Sequence, residues 1–154
     1  MSTALKFDLS SIDRLADRIN DLGRLNKIGL LDSVFSEIDT QTRRRLRTEK
    51  ASPDGVPWAA WSEEYAKTRR AGQSKLMSEG NLDDSLAPFI YLDGSGGEFG
   101  SNLPYAAIQQ FGGAEVGKPG LPAREYLGFS GENLDDIEAV VDNFLEDHVE
   151  RVLQ

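Results

Sequence analysis

The stretch PFIYLDGSGGEFGS, residues 88–101, joins a run of β-forming residues to a glycine-rich turn. Aromatic and β-branched residues such as those at 89–92 favour a strand, whereas Pro88 confines its start to an edge or a bulge because proline has no N–H for a ladder. The glycines that follow predict a hairpin connection into a short returning strand around residues 98–101. The stretch therefore predicts a small antiparallel sheet in a chain that is otherwise mostly helical.

The same glycines also invite comparison with a phosphate-binding loop. A dinucleotide-binding loop would need its third glycine where Phe99 stands, and a Walker-type loop would end in Gly-Lys-Ser or Gly-Lys-Thr. The carboxylate of Glu98 would repel a phosphate in such a cradle. The hairpin turn is therefore the preferred interpretation.

Three long segments, residues 9–22, 29–50 and 130–153, repeat apolar residues at helical spacing. The predicted apolar stripe of the second helix consists of Ile28, Leu31, Val34, Phe35, Ile38, Thr42 and Leu46. The predicted stripe of the last helix consists of Leu134, Ile137, Val141, Phe144, Leu145, His148 and Val152. These stripes predict helices that pack on a common core.

Shorter elements are predicted from their end signals. Ser62 is a suitable N-cap for a short third helix, because its hydroxyl can accept a hydrogen bond from the first turn. Pro104 can open a helix over residues 105–111, and Gly112 and Gly113 end it. The turn at 53–55, the loops at 71–74 and 114–122, and an extended strand at 123–128 complete the prediction.

These elements predict one α+β domain over residues 1–154. It contains two N-terminal helices, a small, mainly antiparallel sheet with one short helix, and a long C-terminal helix. A chain of 154 residues falls within the usual size of one domain and can bury a core of its own.

Composition excludes several classes of site. The chain has no cysteine and one histidine, so thiolate chemistry, cysteine-based metal sites and histidine-rich metal sites are excluded. Its formal net charge of −9 disfavours nonspecific nucleic-acid binding, which needs a surplus of cations. No apolar run approaches the length that crosses a membrane, and the N-terminus lacks the layout of a secretory signal. We expect a protein that is made in a cytoplasm and stays there until assembly.

Paired carboxylates are the main candidates for chemistry. Adjacent residues on a helix point about 100° apart, so Asp83 and Asp84 do not form a two-carboxylate site by themselves. With Glu79 they leave open a metal-dependent nuclease as the less favoured alternative. His148 is predicted to be a partly buried structural histidine, since nothing near it in sequence would orient it for catalysis.

The candidate interface residues are arginines and aromatic residues, the types enriched at protein interfaces. They are Arg43, Arg44, Arg47, Trp58, Trp61, Tyr105, Phe111, Arg124 and Tyr126. The arginines at 43–47 are interpreted either as a solvated helix end or as a docking site for an acidic surface, including the last helix of a neighbouring copy. The face formed by Tyr105, Ile108 and Phe111 is predicted to pack on the sheet, and the loop at 114–122 to be ordered by a neighbour.

Four stretches in this order resemble the phage virion morphogenesis family. They are DGVPWAAW at 54–61, KLMSEGNLDDS at 75–85, YAAIQQFGG at 105–113 and PAREYLGFS at 122–130. The family usually has histidine where Gln109 stands and Pro-Phe where Glu125 and Tyr126 stand. No role that requires an ionisable group at position 109 is therefore carried over.

The resemblance implies a structural protein of the head–tail junction or tail end, without cofactor or enzymatic chemistry. It implies a homo-oligomeric ring that contacts other phage neck, adaptor or tail-tube proteins and is located in the virion. We expect no membrane partner and no sequence-specific nucleic acid, and an acidic ring would let DNA slide through without sticking. An assembly chaperone that never enters the particle is the alternative.

Overall fold

The computed structural model describes residues 3–8 and 25–153. The helix predicted over residues 9–22 lies outside the described residues. The elements in chain order are β1 (Thr3–Asp8), α1 (Lys27–Arg44), a π-helical turn (Arg45–Glu49), α2 (Glu63–Lys67), α3 (Asn81–Asp84), β2 (Ala87–Ile90), β3 (Gly96–Ser101), α4 (Ala106–Phe111), a 3₁₀ turn (Ala114–Val116) and α5 (Gly131–Leu153). The predicted α+β class is confirmed.

The sheet has the strand order β1-β3-β2, and both pairings are antiparallel. The predicted hairpin is confirmed, with Ala87 opposite Gly100 and Ile90 opposite Gly97. β1 is not among the predicted elements, because it pairs only with the distant β3. The alternation of Thr3, Leu5 and Phe7 is the signal that points to it.

Pro88 lies within β2, the strand at one edge of the sheet, as predicted from its missing N–H. The amide of Tyr91 donates to the carbonyl of Gly96 at 2.9 Å. Because inward and outward backbone groups alternate along an antiparallel strand, the nitrogen of Pro88 points away from β3. The edge strand therefore tolerates proline without losing a ladder hydrogen bond.

Two glycines in β3 are required by close contacts. A Cβ on Gly100 would lie 1.9 Å from the carbonyl oxygen of Thr3 in β1. A Cβ on Gly97 would lie 2.6 Å from the ring of Phe35 in α1. These glycines let β1 and α1 approach β3 closely, so the sheet packs directly on α1.

The core lies between α1, α5 and the sheet. Its buried apolar residues are Leu30, Leu31, Val34, Phe35, Ile38, Leu46, Trp58, Leu82, Leu86, Phe99, Ala106, Tyr126, Leu127, Ile137, Val141 and Leu145. The end of α1 lies beside the start of α5, where the side-chain nitrogen of Gln41 donates to the carbonyl of Asn133 at 3.1 Å. Most members of the two predicted stripes are therefore confirmed as core.

Two members of the predicted stripes are exposed, and the side chain of Val152 lies outside the described part of the chain. Ile28 is 48% exposed and Leu134 is 51% exposed. Asn133, which is buried, precedes Ile137 by one helical turn and takes the inward position on α5. Leu134 is thereby rotated toward solvent, and Ile28 lies in the first turn of α1.

The predicted helix ends agree with the structure. The hydroxyl of Ser62 accepts a hydrogen bond from the amide of Tyr65 at 3.3 Å and caps α2. Lys50, in the left-handed region, ends the helical path begun by α1, and its amide donates to the carbonyl of Arg45. Within residues 3–8 and 25–153, no helix combines the length and apolar character that membrane crossing requires.

Candidate functional site

The helix α4 presents its aromatic residues to solvent. Tyr105, which precedes it, is 40% exposed and Phe111 is 70% exposed, whereas Ala106 and Gln110 are buried. The prediction that the face of Tyr105, Ile108 and Phe111 packs on the sheet is therefore wrong. The buried Gln110 makes hydrogen bonds that hold the opposite face of α4 inward.

Those hydrogen bonds join α4 to residues 123–128, which run extended beside it. The side-chain oxygen of Gln110 accepts from the amides of Tyr126 and Leu127, both at 3.0 Å, and its nitrogen donates to the carbonyl of Leu127 at 2.9 Å. The amide of Arg124 donates to the carbonyl of Gln109 at 2.7 Å. The predicted strand at 123–128 is wrong, because a glutamine side chain and a helix end supply the partners that a neighbouring strand would supply.

The same extended segment is joined to the tryptophan-bearing connection. The guanidinium of Arg124 donates to the carbonyls of Ala59 and Ala60, each at 3.2 Å. The indole nitrogen of Trp58 donates to the carbonyl of Glu125 at 3.0 Å. Burial lowers the pKa of Arg124 and raises the pKa of Tyr126. Trp58, Arg124 and Tyr126, predicted as interface candidates, are thus largely buried within the subunit, although Arg124 lines the larger cavity of the groove described next.

A surface groove lies between α2, α4 and the loop at 119–122. It consists of two adjoining cavities of about 200 and 520 Å³, which share Trp61, Tyr65, Leu76 and Gln109. Tyr105 lines the smaller cavity, and Leu121 lines the larger one. We call this feature the aromatic groove, and Gln109 lies where its two halves meet.

Two aromatic rings in edge-to-face contact form one wall of the aromatic groove. Trp61 and Tyr65 meet edge to face, with 5.9 Å between ring centroids. The guanidinium of Arg69 lies 4.3 Å from the centroid of the Tyr65 ring, within the range of a cation–π contact. Tyr65 remains 48% exposed, so the wall is ordered by the subunit and still available to a partner.

Besides Trp58, Arg124 and Tyr126, four further interface candidates lie apart from this groove or are engaged within the subunit. Arg43 and Arg47 both bind the carboxylate of Asp83, at 3.1 and 2.7 Å, and Arg43 also binds Asp39 at 2.8 Å. Arg44 binds Glu49 at 2.6 Å. Phe111 is exposed on α4 but is not a lining residue of either cavity.

Arg45 and Asp83 have structural roles. The guanidinium of Arg45 is buried, where it donates to the carbonyl of Tyr126 and to the side chain of Asn133, and burial lowers its pKa. Asp83 is buried and is held by two arginines, whereas Asp84 is exposed. In the part of the chain that the structure describes, no group of three or more acidic residues or histidines is placed to hold a metal ion.

His148 is buried on α5, in agreement with the prediction of a structural histidine. Its Nε2 has no hydrogen-bond partner among the described residues. Tyr65 belongs to the aromatic set whose members the sequence offers as core residues or interface anchors, and its spacing of four positions from Trp61 places the two rings side by side. Leu76 and Leu121 are groove residues that the sequence did not single out.

Comparison with known proteins shows which family this chain resembles in sequence. The phage virion morphogenesis family matches residues 7–146. The chain is 28% identical to the tail completion protein S of Escherichia phage P2 over 145 residues, covering 87% of this chain and 94% of that protein. No solved structure matches the chain. Because the family match spans most of the sequence, this chain belongs to the phage virion morphogenesis family.

Proposed function

We propose that this protein is a structural component of a phage particle that completes the tail and joins it to the head. In this proposal it acts as a homo-oligomeric ring at the neck or the tail end, assembled in the bacterial cytoplasm and retained in the virion. Other neck, adaptor or tail-tube proteins are its partners, and DNA passes through the ring without sequence-specific contact.

One observation carries the proposal beyond family membership. Parts of three stretches that resemble the family, at 54–61, 105–113 and 122–130, are joined by hydrogen bonds from Gln110, Arg124 and Trp58. This framework supports an exposed aromatic groove rather than a reactive centre. The name of the P2 relative, a tail completion protein, supports the same role.

The alternative of a metal-dependent nuclease is less well supported by the geometry. Asp83, its best candidate ligand, is buried and neutralised by Arg43 and Arg47. Glu79 lines the aromatic groove, whereas Asp84 is exposed and lines neither of its cavities. Nothing in this arrangement favours the chaperone alternative over a virion component, and an experiment has to separate them.

The test is electron microscopy of a lysate from phage in which only this gene is disabled, beside the same phage complemented with the wild-type gene. The proposal expects filled heads beside separate, unjoined or abnormal tails, and normal particles on complementation. Joined, infectious particles without the gene would overturn it. Mass spectrometry of purified wild-type particles tests the chaperone alternative, which predicts that the protein is absent from them.

A further inference from the structure

The negative charge of the chain is concentrated on one helix. α5 carries eight acidic residues and one arginine, a net charge of −7 out of the chain's −9. All eight acidic side chains are exposed. Leu134, 51% exposed, lies beside Asp135 and one turn from Glu138. We call this surface, formed by Leu134, Asp135, Glu138 and Asp142, the acidic face.

Several cations outside the aromatic groove are paired with carboxylates of the same subunit. Arg43, Arg44 and Arg47 bind carboxylates of their own chain, and Lys6 binds Glu98. The arginine cluster that the sequence suggests as a docking site is therefore already engaged. An acidic partner would have to compete with these internal ion pairs.

Three cations without a carboxylate partner among the described residues lie together at one end of the aromatic groove. Arg69 lines the groove, and Arg70 is the next residue in the chain. Lys67 is the last residue of α2 and lies two positions after Tyr65 of the groove wall. Lys67 and Arg70 are exposed, and the contacts of Arg69 are to the Tyr65 ring and to hydroxyl groups. This end of the groove therefore presents positive charge beside aromatic surface.

Acidic residues limit where that positive charge extends. Glu79 lines the smaller cavity, and Glu63 and Glu64 occupy the first turn of α2. The cationic end of α2 thus differs in charge from its acidic start, and this asymmetry favours one orientation of a charged partner over the reverse.

We propose that the aromatic groove receives the acidic face of α5 from a second copy of this chain. In this contact Leu134 packs against Tyr65 and Leu76, while Asp135 and Glu138 bind Arg69 and Arg70. The two surfaces have opposite charge, and each combines exposed apolar area with a charged rim, which is the composition of a specific interface. The inference rests on the oligomeric assembly of the proposed function and names the surfaces that build it.

The two surfaces lie on different elements of one subunit, so the contact is head to tail. In the proposal each copy offers its groove to one neighbour and its acidic face to another, and such a contact forms a ring when the rotation between copies closes and an open filament when it does not. A reciprocal pairing, in which each of two copies fills the other's groove, would instead stop at a dimer. The proposal therefore predicts the type of oligomer that forms as well as the strength of self-association.

Disulfide trapping tests the geometry, and the absence of cysteine from the natural chain makes it specific. The chain with Arg70→Cys is mixed with the chain with Glu138→Cys under mild oxidation, and Asp32→Cys on α1 replaces Glu138→Cys in the control mixture. We expect a disulfide-linked dimer in the first mixture only, and a ladder of oligomers from the chain that carries both Arg70→Cys and Glu138→Cys. Equal crosslinking in both mixtures, or a doubly substituted chain that stops at dimers, would contradict the proposal.

Charge exchange tests the energetics by sedimentation of the purified full chain. Arg69→Glu with Arg70→Glu, or Asp135→Lys with Glu138→Lys, should each weaken self-association about tenfold or more, because like charges then face each other. Mixing the two variants should restore association, which a folding defect would not do. A wild-type chain that stays monomeric, or variants that associate like wild type, would overturn the proposal.

The failure of this inference differs from the failure of the proposed function. If self-association proceeds through another surface while the disabled phage still lacks joined tails, the groove proposal falls and the tail-completion role stands. If groove substitutions abolish complementation but give no ladder, the groove binds a different phage protein and the second-copy assignment is wrong. If phage without the gene are normal, the proposed function fails irrespective of crosslinking.

Discussion

The side chain of Gln110 holds the main chain of Tyr126, because its oxygen accepts a hydrogen bond from the amide of Tyr126 at 3.0 Å. The same oxygen accepts from Leu127, and the side-chain nitrogen donates back to the carbonyl of Leu127. One buried amide thus satisfies three backbone groups of an extended segment that has no neighbouring strand. The position of the aromatic groove wall on α4 depends on this clamp.

Replacing Gln110 with alanine should destabilise the protein strongly. Three buried backbone groups would lose their partner, which we expect to lower the free energy of unfolding by about 3 kcal/mol. Gln109→Ala is the matched control, because its side chain lines the groove and makes no hydrogen bond in the described structure; it should stay within about 0.5 kcal/mol of wild type. Urea denaturation of both variants measures the difference, and equal losses would contradict the clamp.

Asp83 should matter for stability in a way that its neighbour Asp84 does not. Asp83→Ala leaves Arg43 and Arg47 without their shared carboxylate, and we expect a loss of about 2 kcal/mol. The loss is moderated because Arg47 is partly exposed and can return to water. Asp84→Ala, at an exposed position, should change the free energy of unfolding little. A larger effect at Asp84 in thermal unfolding would count against this arrangement.

Metal ions should leave the stability unchanged. A ligand that binds only the folded state stabilises it by an amount that grows with the logarithm of ligand concentration over Kd, so a metal site at Asp83, Asp84 and Glu79 would raise the melting temperature in divalent cations. We expect no shift with excess Mg²⁺ or Mn²⁺ beyond that produced by matched ionic strength. A shift with Mn²⁺ that is lost in Asp83→Asn would restore the nuclease alternative.

Gly100 should not accept a side chain. A Cβ there would overlap the carbonyl of Thr3, so Gly100→Ala must displace β1, and we expect a loss of more than about 4 kcal/mol or a failure to fold. Gly131→Ala is the control, because nothing lies within 4 Å of its Cβ position and alanine favours the first turn of α5. Circular dichroism melts should show a slight gain for Gly131→Ala.

Phe111 is expected to contribute to assembly and not to folding. Its side chain is 70% exposed, so Phe111→Ser should leave the melting temperature nearly unchanged while reducing complementation of a gene-disabled phage. Leu92→Ser removes a similarly exposed apolar residue from the hairpin turn and serves as the control. Full complementation by Phe111→Ser would remove Phe111 from the candidate interface.

The helices α1, α2, α4 and α5 and the hairpin were predictable because their signals are local, whereas the short helix α3 was not predicted. Apolar spacing, the Ser62 cap and the glycines after Tyr91 each act within a few residues. Pro88 also indicated the edge strand by its own chemistry. β1 and the segment at 123–128 were not predictable in this way, since the first depends on pairing with a strand some ninety residues away and the second on a glutamine side chain.

The candidate site was predicted less well than the fold. Arginine and aromatic composition placed Trp61 and Tyr105 among the interface candidates, and both line the aromatic groove, but it could not separate them from Trp58 and Tyr126, which are buried. The arginine pattern likewise carried no information about Asp83, nearly forty positions away, which engages two of its members. Composition predicts which residue types build an interface, whereas burial depends on the whole fold.

Pro88 in the edge strand disfavours one route by which copies of this chain could aggregate. An open strand edge is a template on which further strands add, and continued addition leads to fibrous aggregates. The outward nitrogen of Pro88 offers no donor at that edge, so a neighbouring chain that tries to extend the sheet there loses a hydrogen bond. Concentrated subunits would thus be steered away from polymerisation through β2, leaving side-chain contacts to determine which assemblies form.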